Sequence, residues 1–111
     1  MLYHKRNYMN TTTDISIEGD LKAILGDVHE VTRVTPDQVM SRRRISEWAQ
    51  ARQMTYYLLR SMGYGYAEIG RVMDRDHSGI IYGCNSVKDF AKIEKKTKMR
   101  MEAFRRKGYD V

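Results

Sequence analysis

From Asp20 onward the apolar positions recur at helical spacing. Leu21, Ile24, Leu25, Val28 and Val31 step by three and four residues, the period of one helical face, and Asp20 stands where an N-cap is expected. Thr35-Pro36-Asp37-Gln38 reads as a fresh start, with Thr35 capping and Pro36 at the first helical position, and predicts a short helix through Met40. A compact basic loop, Ser41-Arg42-Arg43-Arg44, follows. Ser46 and Glu47 open a third helix to about Ser61, with Trp48, Ala51, Thr55, Leu58, Leu59 and Met62 on its inner face. Met62-Gly63-Tyr64-Gly65 must end it, because each glycine costs a helix about 1 kcal/mol relative to alanine. A short helix from Tyr66 to Met73 has Ile69, Val72 and Met73 inward. The polar turn Asp74-Arg75-Asp76 leads to another helix from about His77, striped by Ile80, Ile81, Cys84, Val87 and Phe90 or Ala91. The stripe weakens but continues through Ile93, Thr97, Met101 and Phe104, compatible with one long helix or a pair. No segment alternates as a strand does. The pattern predicts an all-α helical bundle over residues 20–111, preceded by a polar arm or linker over residues 1–19.

Composition sharpens this picture in two ways. The chain has 111 residues, one Pro and a net charge of +6, and the charge is uneven. Residues 1–40 hold four Lys/Arg against six Asp/Glu, residues 41–87 seven against four, and residues 88–111 nine against four. A basic half beside a mildly acidic one suits a polyanionic partner. No stretch approaches the roughly 20 apolar residues that span a bilayer, and no apolar segment follows the charged N-terminus, so neither membrane span nor signal peptide is expected. A single cysteine, Cys84, excludes an internal disulfide and fits a reducing cytoplasm.

Residues 66–90 carry the chemistry. A short helix, a three-residue polar turn and a longer helix form the layout of a helix-turn-helix, whose second helix enters the major groove with its first residues against base edges. The start of that second helix offers free N–H groups and partial positive charge, both attractive to phosphate. His77 and Ser78 donate hydrogen bonds, Asp76 caps the helix or accepts from a cytosine amino group, and Arg71 and Arg75 reach phosphates. The partner expected on this reading is double-stranded DNA.

Four blocks in order, Ala51-Arg52-Gln53-Met54, Tyr57-Leu58-Leu59-Arg60, Glu68-Ile69-Gly70 and Arg75-Asp76-His77-Ser78, resemble the C-terminal DNA-binding domain of the DnaA bacterial replication initiators. The resemblance runs from about Asp20 to Val87. It implies a helix-turn-helix that recognises short boxes in duplex DNA, with Asp76, His77 and Ser78 in the major groove, Arg44 in the adjacent minor groove, and Arg52 and Gln53 at the phosphate backbone. The chain departs from the family pattern at Gly79, where the family has Thr or Ser, at Ile45 and Ser46, where basic residues are common, and in a linker one residue short after Met62. The family's ATPase module and its G-x-x-x-x-G-K-(S/T) loop are missing from this sequence, so the expectation is a stand-alone module acting in replication or its regulation, with no cofactor.

Rival readings are weaker on the residues. His77 and Cys84 lie seven apart on one helical face, but structural zinc generally takes four N/S ligands and there is no second cysteine, so no metal is expected. Cys84, inside an apolar stripe, reads as a buried thiol rather than a nucleophile. No carboxylate cluster accompanies His77, so an enzyme such as a nuclease is not expected. The alternative from another class is a protein-binding adaptor on the same fold, docking or forming a homodimer through the C-terminal stripe of Ile93, Thr97, Met101 and Phe104.

Overall fold

The computed structural model describes residues 13–111, and within them the chain folds into six helices: α1 (Thr13–Thr32), α2 (Pro36–Met40), α3 (Ser46–Ser61), α4 (Tyr66–Met73), α5 (His77–Ile93) and α6 (Lys95–Arg106). No strand occurs among the described residues. The all-α expectation holds, and α2, α3 and α4 lie where periodicity and capping put them. At α2 the Thr35 hydroxyl accepts from the Gln38 amide (3.2 Å) while the Gln38 side chain accepts from the Thr35 amide (3.0 Å), a closed capping box that explains so short a helix.

Two expectations need correcting. The first helix begins at Thr13, so residues 13–19 are helical rather than part of an arm; residues 1–12 of that expected arm lie outside the described residues. The apolar stripe in fact starts one turn earlier, at Ile17, which is buried with Leu21, Ile24 and Val28 at spacings of four, three and four. Asp20 is therefore no N-cap: it sits inside α1 and accepts a 2.5 Å hydrogen bond from the Tyr64 hydroxyl, tying α1 to the turn between α3 and α4.

The second correction concerns the C-terminal stripe. Residues 77–107 form a helix pair broken at Glu94, whose backbone is extended (φ −99°, ψ 121°). The break lets α6 fold back, so Thr97, Met101 and Phe104 face the protein's own core, with Phe104 fully buried. Tyr109 closes the far end, edge-on to Phe104 (5.8 Å between centroids, 87° between planes) with its hydroxyl donating to Asp27 at 2.6 Å. The stripe expected as a docking or dimer surface is thus occupied from within, and only Ile93 of it is exposed. Within α5, Ala91 rather than Phe90 packs toward the core.

The helices converge on α3. Its buried residues include Ala51, Met54, Thr55, Tyr56, Leu58 and Leu59, a wider face than one stripe, because α1 packs on one side and α5 on the other. Gly83 sets how closely α5 approaches: a Cβ there would lie 2.7 Å from the Tyr56 ring and 3.1 Å from the Gln53 stem. Glycine at this position fixes the spacing of α5 on the bundle, and with it the position of whatever α5 presents to solvent.

Candidate nucleic-acid interface

The candidate interface is built around the turn between α4 and α5. Asp74 ends α4 in the left-handed conformation (φ 57°, ψ 52°), which turns the chain sharply; Asp tolerates that conformation better than most residues. Gly70 makes the turn tight, since a Cβ there would lie 2.7 Å from the Arg75 carbonyl oxygen. The Arg75 amide, in return, donates to the Gly70 carbonyl at 2.8 Å.

Asp76 caps α5. Its carboxylate accepts from the Ser78 amide at 3.2 Å and from the Ser78 hydroxyl, and those hydrogen bonds hold its pKa below the usual carboxylate range. His77, Ser78 and Gly79 are all exposed on the first turn. The three thus face solvent at the positive end of a seventeen-residue helix, with Ser78 held by Asp76. Beside them, Arg42, Gly70, Arg71, Arg75 and His77 line an open depression between the start of α5 and the outer side of α4.

The basic loop is fastened to this turn by one residue. The Arg75 guanidinium donates to the carbonyls of Ser41 (2.6 Å) and Met40 (3.2 Å), and to Met73 at 3.3 Å. Arg75 is therefore a brace, half-buried between the turn and the loop. Arg42 adds a surface ion pair with Asp74 at 2.7 Å. Arg43 lies over the half-buried Trp48 ring, 5.7 Å from its centroid, while Arg44 is exposed at the solvent side of the loop.

Arg52 differs most from expectation. Its side chain points inward: Nε donates to Val39 O at 2.7 Å, and Nη2 to Gln38 O (3.3 Å) and Arg43 O (3.2 Å). With 8% of its surface exposed, the side chain is committed chiefly to these carbonyls. Burial, and secondarily the charge of Arg75, lower its pKa, yet three carbonyls at the end of α2 and in the loop satisfy the cation. The reason is local: at the end of α2 the Gln38 carbonyl accepts the Ser41 cap amide (3.3 Å), the Val39 carbonyl has no helical partner, and Arg52 supplies donors to both. Gln53, the next residue, is half-buried at the α3–α5 seam. Arg71 is exposed on α4.

The inward stripe of α5 (Ile80, Cys84, Val87) implies an outward one, and there the structure shows residues that motif reasoning does not reach. Ser78, Tyr82, Asn85 and Asp89 follow one another at helical spacing on that side, and all are exposed. Lys88 and Lys92 are exposed along one flank. Cys84 lies on the opposite side, 1% exposed, and burial pushes its thiol up to about 11, so it is an inert core residue. Among the described residues no group of three or more His, Cys, Asp or Glu side chains is arranged to hold a metal, and no helix is long and apolar enough to cross a membrane.

Comparison with protein-family models matches residues 21–87 to the bacterial DnaA protein helix-turn-helix. The matched span ends within α5 and covers the loop, the turn and the whole first half of that helix. No curated protein matches the chain.

Proposed function

Because the chain belongs to the bacterial DnaA helix-turn-helix family and so carries a DNA-binding domain that is not itself catalytic, we propose that it reads a short sequence in duplex DNA with the first turn of α5, in replication or its regulation. The observation that supports this best is the joint geometry of that turn and the basic loop. His77 and Ser78 are exposed at a capped helix start, and Arg75 ties that start to the loop carrying Arg44. A helix end and a loop held in fixed relation suit two adjacent grooves of one duplex.

On this reading His77 and Ser78 contact base edges, and Asp76 orders the turn that presents them and accepts from a cytosine amino group. Arg44 enters the minor groove beside the occupied major groove, where its charge is favoured when the groove is narrow. Arg71 and Gln53 hold the phosphate backbone. Arg52 and Arg75 shape the surface from beneath instead of touching DNA.

The test is a salt titration of binding to two labelled duplexes, one carrying a DnaA-type box and one scrambled. The expected result is a preference for the box at about 150 mM salt that His77→Ala reduces by about 1–3 kcal/mol, the worth of one good base contact. Equal losses on both duplexes would reject a reading role for His77. No binding to either duplex at low salt would reject the proposal.

A further inference from the structure

The outward face of α5 carries one large side chain in a row of small ones. Tyr82 is 68% exposed, although tyrosines elsewhere in the bundle are drawn inward: Tyr56, Tyr64 and Tyr109 are 3–5% exposed. It follows Ser78 by four residues and precedes Asn85 by three, so it continues the face that begins at the capped first turn. Helical side chains lean toward the N-terminus and cover the preceding turn, which for Tyr82 is the turn of Ser78 and Gly79. At Gly79 itself the face stays open: a Cβ there would meet nothing within 4 Å, so the Tyr82 ring does not rest on it. No side chain at position 79 stands between the Tyr82 ring and a partner approaching the outward face.

We propose that Tyr82 is a specificity-determining residue, its ring packing against the C5-methyl of a thymine in the major groove one helical turn beyond the bases met by His77 and Ser78. This rests on the duplex-reading role argued above. The chemistry follows from the groove: among the four bases only thymine shows a methyl there, and apolar side chains are what recognise it. Gly79, where the family's Thr or Ser would offer its own methyl or hydroxyl, passes that contact to the longer side chain one turn on. Among the described residues the ring stands exposed, and a duplex supplies an apolar partner for it.

The test isolates the methyl group. A duplex selected from a random-sequence pool by the full chain is resynthesised with each thymine replaced singly by uracil, which removes the methyl and leaves base pairing intact. The wild-type chain should lose about three- to fivefold in affinity at one position, as expected for exposing one methyl group. Tyr82→Ala should bind the thymine and uracil duplexes equally at that position, and Tyr82→Phe should keep the difference. Thermal melts of both variants should match wild type because the residue is exposed. A uracil effect that persists in Tyr82→Ala, or no uracil effect anywhere, overturns the proposal. So does an equal loss in Tyr82→Phe and Tyr82→Ala on every duplex, which marks a phosphate contact by the hydroxyl. If the pool yields no preferred sequence, duplex reading itself fails and this proposal falls with it. A preferred sequence without coupling to Tyr82 removes Tyr82 alone.

Discussion

At the scale of single residues, two arginines show why charge in a sequence does not announce its direction. Arg44 and Arg52 sit eight positions apart in a basic region, and either is chemically able to meet phosphate. The structure sends Arg44 outward and Arg52 inward, to the carbonyls of Gln38, Val39 and Arg43. What decides is the end of α2, where the Val39 carbonyl takes its donor from Arg52, and that demand is invisible in the residue pattern around Arg52. The two roles have different signatures. Arg52→Ala leaves buried carbonyls without partners, at about 1–3 kcal/mol for a group so orphaned, and should lower the urea midpoint accordingly. Arg52→Lys should recover only part of this, since one ammonium cannot reproduce the planar fork. The salt dependence of DNA binding should keep its slope, whereas loss of a phosphate contact would flatten it by about one unit. A flattened slope with unchanged stability would return Arg52 to the DNA surface. The placement of His77 and Ser78, by contrast, is legible from sequence, because they open a helix and the capping chemistry of Asp76 marks its start.

At the scale of elements, the interior helices were readable because periodicity and caps agreed on them, and the ends were not. Asp20 reads as a cap because the apolar period is taken to begin at Leu21; burial of Ile17 shows the helix running on through Gly19. The break at Glu94 carries no proline or glycine to betray it. Its cause is tertiary: turning there brings Thr97, Met101 and Phe104 onto the core. The α4–α5 turn shows local chemistry only partly matched to local geometry. Asp74 occupies a left-handed position for which glycine is the usual choice, and its carboxylate pairs with Arg42 on the surface proposed to face DNA. Asp74→Gly should therefore act twice. Relief of the left-handed strain, about 1 kcal/mol, should raise the urea midpoint without changing its slope; the lost ion pair is too exposed to offset that fully. Freed of its partner, Arg42 should strengthen binding to random-sequence duplex and steepen its salt dependence. A lower midpoint would mean that the Arg42 contact, and not the backbone, governs this turn.

At the scale of the whole molecule, the family's boundary and the core's boundary do not coincide. The family match ends at residue 87, yet Met101, Phe104 and Tyr109 belong to the same buried cluster as Leu58, Ile69 and Ile80. The folding unit thus reaches Tyr109, and α6 completes a bundle whose proposed DNA-facing side lies elsewhere. Lys107 reinforces the closure, reaching Glu30 at 2.7 Å and Asp27 at 3.9 Å across the end of α1. These ion pairs are partly exposed and contribute little; the buried ring carries the weight. Phe104→Ala should cost about 3–5 kcal/mol, a large part of the 5–15 kcal/mol typical of a domain's stability. The same variant, measured at low temperature where it is still folded, should bind duplex DNA with wild-type affinity, because Phe104 is fully buried on the inner side of α6, whose main packing partners are α1 and α5. That pairing separates support of the fold from formation of the site. An unchanged urea midpoint would show α6 to be peripheral to the core. A stable variant with weakened binding would show that α6 takes part in the interface itself, and its lysines would then need to be counted among the phosphate contacts.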